Sequence, residues 1–162
     1  MNIKLKWVIL SMRLEQNVVV TCCANAHAEA VSELVQEAWR TAGLANPGEQ
    51  VEEAVSAFSW ERIIRDMPGR LSYVAVLRHK VVGVVILSQG EAGISCIEAL
   101  CVAPEFHGQG IGELLIETAE KRAGELGAKR MSVSGRLANA GFFRRYGYQA
   151  ASGQSQLEKA LA

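Results

Sequence analysis

Apolar residues in the first third of the chain follow strand-like and helix-like spacings in turn. Residues 18–23 form a β-branched, apolar run, which predicts a buried strand. In residues 28–40 the apolar positions recur at helical spacing and glutamates occupy another face, which predicts an amphipathic helix. A second helical stretch over residues 50–66 ends at Pro68-Gly69. The first third is therefore predicted to be a strand followed by two helices.

The remaining chain is predicted to contain mostly strands and one long helix. Two β-rich runs, residues 72–77 and 81–88, flank the polar Arg78-His79-Lys80 and predict a hairpin. Further along, the pattern predicts a strand at 94–102, a long helix at 111–126, a strand at 130–134 and a short helix at 139–146 closed by Gly147. The tail, residues 148–161, predicts one or two final strands, and residues 158–161 are equally compatible with a helix.

This order of elements predicts one α+β domain. The early strands are antiparallel, one crossover lies near the middle, and helices flank a mixed, largely antiparallel central sheet in three layers. A length of 162 residues supports one hydrophobic core. We assign residues 17–162 to the domain and residues 1–16 to an N-terminal extension without a predicted role.

Charge and cysteine content narrow the possible partners. Seventeen basic residues balance seventeen acidic ones, so no net field attracts the protein to nucleic acid or to an anionic membrane. The four cysteines lack zinc-ligand spacing, and the adjacent Cys22 and Cys23 are poorly placed to bridge each other. Reduced thiols indicate a cytoplasmic protein without a metal site.

Residues 100–112, LCVAPEFHGQGIG, carry the most informative motif. A strand passes through a Pro-containing turn into a helix whose start is rich in glycine (Gly108, Gly110 and Gly112), and such a junction directs backbone amides at an anion. By itself the glycine pattern is equally typical of a flexible loop before an ordinary helix. No Lys-Ser or Lys-Thr follows, which argues against a Walker loop, and the preceding hairpin argues against a Rossmann unit.

The stretch resembles the coenzyme-binding motif of the GNAT superfamily of N-acetyltransferases, in which a strand leads through Val-x-Pro into an Arg/Gln-x-x-Gly-x-Gly/Ala turn and a long helix. The resemblance implies a GNAT-like acyl-CoA N-acyltransferase fold with acetyl-CoA as cosubstrate. It implies that strand residues bind the pantetheine arm and that the turn holds the pyrophosphate. The corresponding residues are Leu100, Cys101 and Val102 in the strand and His107, Gly108, Gln109, Gly110, Ile111 and Gly112 in the turn.

Residues 139–148, NAGFFRRYGY, are similar to the closing segment of the same family. This similarity implies that Asn139, Phe142 and Phe143 also contact the coenzyme. Phe143 stands where many family members have the tyrosine that protonates the departing thiolate, and phenylalanine cannot donate a proton. Tyr146 lies one helical turn away and is a candidate acid, with packing as its alternative role. His107 replaces the usual Arg or Gln, which removes a charged contact or makes it sensitive to pH.

Glu98 is the candidate base. It lies two residues from Leu100 and four from Val102, so strand alternation predicts that the three side chains share one sheet face. An exposed glutamate without a catalytic role is the alternative. Cys96 or Cys101, activated by His79 or His107, would permit a covalent acyl-enzyme, but nothing in the flanking residues favours a reactive thiol over direct transfer.

The expected activity is therefore acetyl transfer from acetyl-CoA to a primary amine by direct attack. A coenzyme-binding regulatory module with impaired catalysis is the alternative, because Phe143 replaces the tyrosine. The acceptor is left open between a small molecule and a protein or peptide amine, and a homodimer is compatible with the sequence.

Overall fold

The computed structural model describes residues 17–41, 56–133, 140–151 and 156–162. Within these ranges, seven strands form one mixed sheet in the order β1-β2-β3-β4-β5-β7-β6. The strands are β1 (Val18–Cys22), β2 (Arg70–Leu77), β3 (Lys80–Gln89), β4 (Ile94–Val102), β5 (Arg130–Val133), β6 (Gln149–Ala150) and β7 (Leu157–Ala160). The pair of β4 and β5 is parallel and the other pairs are antiparallel, which confirms the predicted mixed sheet.

Helices cover both faces of the sheet. They are α1 (Ala28–Thr41), α2 (Trp60–Asp66), α3 (Ile111–Glu125) and α4 (Ala140–Arg145). The long helix α3 is the crossover between the parallel strands β4 and β5, as the element order predicted. None of the helices in the described ranges is both long and apolar enough to span a bilayer.

The predicted hairpin is present, and its strands are longer than predicted. Arg78 and His79 link β2 to β3 with φ of 48° and 67°. Positive φ at both central residues gives the turn a twist that matches the flanking strands. The hairpin therefore closes tightly without glycine, and pairing extends back to Arg70 and forward to Ser88.

The tail is a strand rather than a helix. Residues Leu157–Ala160 pair with β5 on one side and, through Leu157 and Glu158, with β6 on the other. The predicted extension at residues 1–16, the start of the predicted second helix at residues 50–55 and Asn139 lie outside the described residues.

Among the residues that the structure describes, buried side chains form one cluster on each face of the sheet. On the α3 face, α3 and α4 cover a cluster that includes Tyr73, Leu115, Ile116, Met131 and Phe143. On the α1/α2 face, the cluster includes Val31, Val35, Ile63 and Val84. Gly83 of β3 permits close contact with α3, because a Cβ there would lie 2.9 Å from Leu115 Cδ1. The sheet is thus held between two separate apolar layers.

Candidate functional site

The site begins where β4 separates from β5. The described pairs of these strands end at Ile97 and Val133, whereas β4 continues to Val102 and stays paired with β3 through that residue. Within the described residues, the part of β4 after Ile97 therefore has a strand partner on its β3 side alone. Its other edge offers backbone groups to a ligand.

Leu100 and Val102 are the residues whose backbone groups face this open edge. The amide of Ala103 donates to Val82 O at 2.9 Å, so the carbonyl of Val102, in the same peptide unit, points away from β3. Strand alternation places Leu100 in the same orientation and turns the amide and carbonyl of Cys101 toward β3. Of the three strand residues predicted to bind pantetheine, Leu100 and Val102 have the required backbone direction.

A turn connects this edge to α3. Pro104–Phe106 form a 3-10 turn, Gly108 and Gly110 have φ of 74° and 85°, and α3 begins at Ile111. These φ values favour glycine because a Cβ costs roughly 1–2 kcal/mol in the left-handed region. A Cβ at either glycine would meet nothing within 4 Å. The first amide of α3 that bonds a carbonyl of the same helical turn is that of Leu114, which donates to Gly110 O at 3.0 Å, so the amides of Ile111 and Gly112 have no acceptor within α3 and face outward at its positive end.

His107 ties the turn to the end of β4. Its Nε2 lies 2.7 Å from Val102 O, and because a carbonyl can only accept, Nε2 carries the hydrogen. Gln109 Nε2 donates to Glu105 O at 3.3 Å, and Glu105 pairs with Lys80 at 3.4 Å. A backbone hydrogen bond within Glu105 itself lowers the pKa of that carboxyl, and the hydrogen bond from Lys80 and the neighbouring His107 add to this effect. The turn is thus braced from both sides.

The third glycine of the motif serves packing. A Cβ on Gly112 would lie 3.2 Å from Phe142 Cζ, so the absent side chain is what lets the ring of α4 approach the first turn of α3. Ile111 is buried beneath the same turn. The sequence motif therefore combines two functions, since Gly108 and Gly110 shape the backbone and Gly112 admits Phe142.

Glu98 lies at a β-bulge in β4, at the point where β4 leaves β5. Ile86 pairs with Ala99 and Leu87 with Ile97, so Glu98 is the extra residue without a β3 partner. The extra residue shifts the alternation of side chains between the two faces of the sheet, so that Ile97 lies on the α3 face together with Leu100 and Val102. The expectation that Glu98 shares a face with Leu100 and Val102 is therefore wrong.

The carboxylate of Glu98 reaches the α1/α2 face instead. Arg70 Nε lies 3.1 Å from Glu98 Oε2, and Arg70 NH1 lies 3.6 Å from Asp66 Oδ2 at the end of α2. The Glu98 side chain is 26% exposed, so solvent reaches it while the ion pair with Arg70 limits its movement. Sequence reasoning missed Arg70, because an ion pair across three strands leaves no signal in local spacing.

The aromatic residues of the closing segment pack against one another. Phe143 is 2% exposed and makes edge contacts with Phe142 at 5.4 Å and Tyr148 at 5.5 Å between ring centroids. Tyr146 contacts the Phe142 ring at 4.8 Å and is partly buried against the same cluster. The predicted coenzyme contacts of Phe142 and Phe143 and the acid role of Tyr146 stay predictions, and Asn139 lies outside the described residues.

The cysteines are free thiols. Burial raises the pKa of the Cys101 thiol to about 12, so at neutral pH it is a thiol and a poor nucleophile. Cys96 Sγ contacts the carbonyl of Ile97 at 3.7 Å. In the described part of the chain, no three His, Cys, Asp or Glu side chains come together in a way that would hold a metal ion.

Comparison with known proteins agrees with this geometry. The family model described as acetyltransferase (GNAT) family matches residues 28–148. An uncharacterized N-acetyltransferase of Chlorobaculum tepidum is 33% identical over 132 residues, which cover 80% of this chain and 76% of that protein.

Solved structures show the same fold. A PaiA N-acetyltransferase from Thermoplasma acidophilum in complex with coenzyme A matches with a TM-score of 0.76 and 18% identity, covering 89% of this chain and 99% of that one. A GNAT family acetyltransferase from Brucella melitensis in complex with acetyl-CoA matches with a TM-score of 0.72 and 20% identity, covering 91% and 90%. The expected fold and enzyme class are thus confirmed, and the chain belongs to the GNAT family of acetyltransferases.

Proposed function

We propose that the protein transfers the acetyl group of acetyl-CoA to a primary amine by direct attack. The observation that carries the proposal is the continuous path from the open edge of β4 at Leu100 and Val102 to the positive-φ turn at Gly108 and Gly110. Two similar structures, from Thermoplasma acidophilum and Brucella melitensis, contain coenzyme A and acetyl-CoA. The protein would bind acetyl-CoA along this path.

The backbone would hold the two ends of the coenzyme. Leu100 would pair with the amide groups of the pantetheine arm, much as an added strand pairs with a sheet edge, and Val102 would meet the thioester end of that arm. The pyrophosphate would accept hydrogen bonds from the turn and from the first amides of α3, where the helix dipole favours an anion. His107 already occupies the Val102 carbonyl, which leaves the Val102 amide to polarise the thioester carbonyl.

Proton transfer would use the carboxylate of Glu98. A neutral amine nitrogen attacks the acetyl carbon, the carbon–sulfur bond breaks, and the products are an amide and coenzyme A thiolate. Glu98 would accept the proton that the amine loses, a contribution of about 10²–10⁴-fold in rate for a well-placed base. The raised pKa of Cys101 supports direct attack over a Cys101 acyl-enzyme.

Binding is tested by isothermal titration of the purified protein with acetyl-CoA. A matched pair of variants locates the site, because Gly110 and Gly127 lie at opposite ends of α3, have φ of 85° and 90°, and leave a Cβ added at either position with no atom within 4 Å. Gly110→Ala and Gly127→Ala therefore introduce similar strain. We expect Gly110→Ala to weaken acetyl-CoA binding about tenfold, as roughly 1–2 kcal/mol of strain implies, and Gly127→Ala to leave it unchanged. No binding by the wild type, or equal losses in both variants, would contradict the proposal.

A regulatory acyl-CoA-binding module is the second candidate. The observation that favours it is the buried Phe143 at the position where a tyrosine acid stands in many relatives. Release of free coenzyme A against a panel of amines, including polyamines, amino acids, aminoglycosides and peptides, separates the two candidates. Turnover with any amine supports the transferase, and tight binding with no turnover above the rate of spontaneous hydrolysis supports the module.

The proposed function also includes a cytoplasmic location for the protein and its assembly as a homodimer.

A further inference from the structure

We infer that Arg70 is a positioning residue, which holds the Glu98 carboxylate in the orientation required to accept the acceptor's proton. The inference rests on the proposed transfer reaction. Arg70 begins β2 and lies two strands away from β4, yet its Nε approaches Glu98 Oε2 at 3.1 Å. Both side chains are about a quarter exposed, at 28% and 26%, so the pair borders the solvent from which an acceptor would arrive.

Glu98 needs such a partner because of the bulge that carries it. A bulge residue has no opposite residue on the neighbouring strand, so no cross-strand neighbour restricts its side chain. The guanidinium is a rigid, planar cation. Its ion-pair contact at 3.1 Å therefore holds Glu98 Oε2 beside Arg70 Nε and leaves Oε1 for the incoming amine.

Arg70 is itself anchored on its other side. Its NH1 lies 3.6 Å from Asp66 Oδ2, and Arg65 Nε holds the same carboxylate through Oδ1 at 2.8 Å. The hydrogen bond from Arg65, together with the charges of Arg65, Arg70 and Arg62, lowers the pKa of Asp66. Asp66 therefore stays ionised at neutral pH, and a chain of alternating charges connects the end of α2 to the bulge of β4.

The competing interpretation is that the pair only joins β2 to β4. Partly exposed ion pairs usually contribute little to stability, and β2 and β4 are already held by their common neighbour β3. A purely structural pair would act through the fold, so Arg70→Met would lower the unfolding temperature and would lower kcat only as far as folded enzyme is lost. A positioning role makes the opposite prediction, since Arg70 would matter to the rate only while Glu98 is present.

A double-mutant cycle on kcat distinguishes these interpretations. Arg70→Met, Glu98→Gln and the double variant are assayed with the best amine from the panel. We expect Glu98→Gln to lower kcat about 100-fold or more and Arg70→Met to lower it about tenfold. The double variant should match Glu98→Gln alone. The KM for acetyl-CoA should stay within about twofold, because the coenzyme path uses other groups.

Two further variants complete the design. Arg70→Lys keeps the charge with less exact geometry and should recover part of the lost rate. Arg130→Met is the matched control, because it removes another exposed cross-strand ion pair, that of Arg130 with Glu158 at 3.4 Å, away from the site. It should keep the wild-type kcat. Circular dichroism and thermal unfolding confirm that each variant is folded.

The outcomes separate this inference from the proposed function. A wild-type enzyme that releases coenzyme A in the presence of an amine supports the transfer reaction, and failure to do so overturns the reaction and the inference together. With an active wild type, the inference alone is overturned if the losses of Arg70→Met and Glu98→Gln multiply in the double variant. It is also overturned if Arg70→Met keeps the full rate or if Arg130→Met loses as much.

Discussion

On the α3 face of the sheet, the residues near the site act through shape, whereas on the α1/α2 face they act through charge. Under α3, a layer of aliphatic and aromatic side chains, including Leu115, Ile116 and Phe143, supports a turn whose backbone faces outward. On the opposite face, Glu98 and Arg70 form an ion pair at the edge of a smaller cluster. Packing defects should therefore impair coenzyme binding on the first face, and charge changes should impair proton transfer on the second.

The largest expected effect is on the free energy of unfolding, when one isoleucine on each face of the sheet is replaced by alanine. Ile116 is 1% exposed in the middle of α3, and Ile63 is 5% exposed in the short helix α2. Isoleucine-to-alanine changes in cores cost about 2–5 kcal/mol, and the cost rises with the cavity that cannot collapse. We expect Ile116→Ala to lie near the top of that range and Ile63→Ala near the bottom. Urea unfolding measures both, and equal losses would show that the two layers are equally rigid.

The strong elements of this fold could be predicted from the sequence, whereas the chemistry of the second face could not. Strand β4 and helix α3 have strong patterns, and their predicted bounds differ from the observed ones by at most one residue. The bulge at Glu98 has no glycine or proline to mark it, and a one-residue insertion reverses the face of every residue beyond it. Arg70 was missed because its partners, Asp66 and Glu98, are set by tertiary contacts.

The closing segment shows what a motif leaves open. Its resemblance to the family motif predicts coenzyme contacts for Phe143, and these stay a prediction. The motif does not encode the packing of the Phe143 ring between Phe142 and Tyr148. Motif spacing fixes where a residue stands on a helix, but the direction of the helix relative to the sheet decides whether the side chain meets a ligand or the core.

The next largest effect concerns Tyr148, which connects the tail to α3. The ring is 1% exposed, its hydroxyl donates to Glu120 Oε1 at 3.1 Å, and Lys159 Nζ pairs with the same carboxylate at 2.8 Å. Burial, followed by the nearby Glu120 carboxylate, raises the pKa of Tyr148. Removing the hydroxyl in Tyr148→Phe loses a hydrogen bond to a charged group, so we expect a loss of about 1.5–3 kcal/mol at pH 7.

The pH dependence of this residue has a definite sign. With a pKa raised in the folded state, Tyr148 contributes its full stabilisation below its unfolded pKa of about 10 and loses it as the pH rises toward the folded value. The free energy of unfolding of the wild type should fall above about pH 10, and this decline should be shallower in Tyr148→Phe. Parallel decline of the two proteins in urea titrations at about pH 8 to 11 would argue against an ionising Tyr148.

A smaller effect is expected at Gly112, where packing and coenzyme binding meet. A Cβ at Gly112 would lie 3.2 Å from Phe142 Cζ, so Gly112→Ala requires the ring or the first turn of α3 to move by a few tenths of an ångström. We expect acetyl-CoA binding to weaken about fivefold, equivalent to about 1 kcal/mol. Gly124→Ala is the control, because Gly124 lies in the same helix with nothing within 4 Å. Titration calorimetry measures both affinities for acetyl-CoA. Equal affinities of the two variants would contradict the idea that contact with Phe142 supports the turn that binds the coenzyme.

The smallest effect is expected at Tyr146, and it tests whether proton transfer belongs to the second face alone. The ring of Tyr146 packs against Phe142 in the α3 face cluster, and phenylalanine would preserve that contact. A departing coenzyme thiolate can leave without a protein acid, because a thiolate is a moderately stable anion near neutral pH and water can supply the proton afterwards. We therefore expect Tyr146→Phe to keep kcat within about twofold, whereas Glu98→Gln loses about 100-fold or more. A loss of about tenfold or more in kcat for Tyr146→Phe, with acetyl-CoA affinity unchanged, would instead identify Tyr146 as the acid that protonates the thiolate. The base would then lie on the α1/α2 face and the acid on the α3 face.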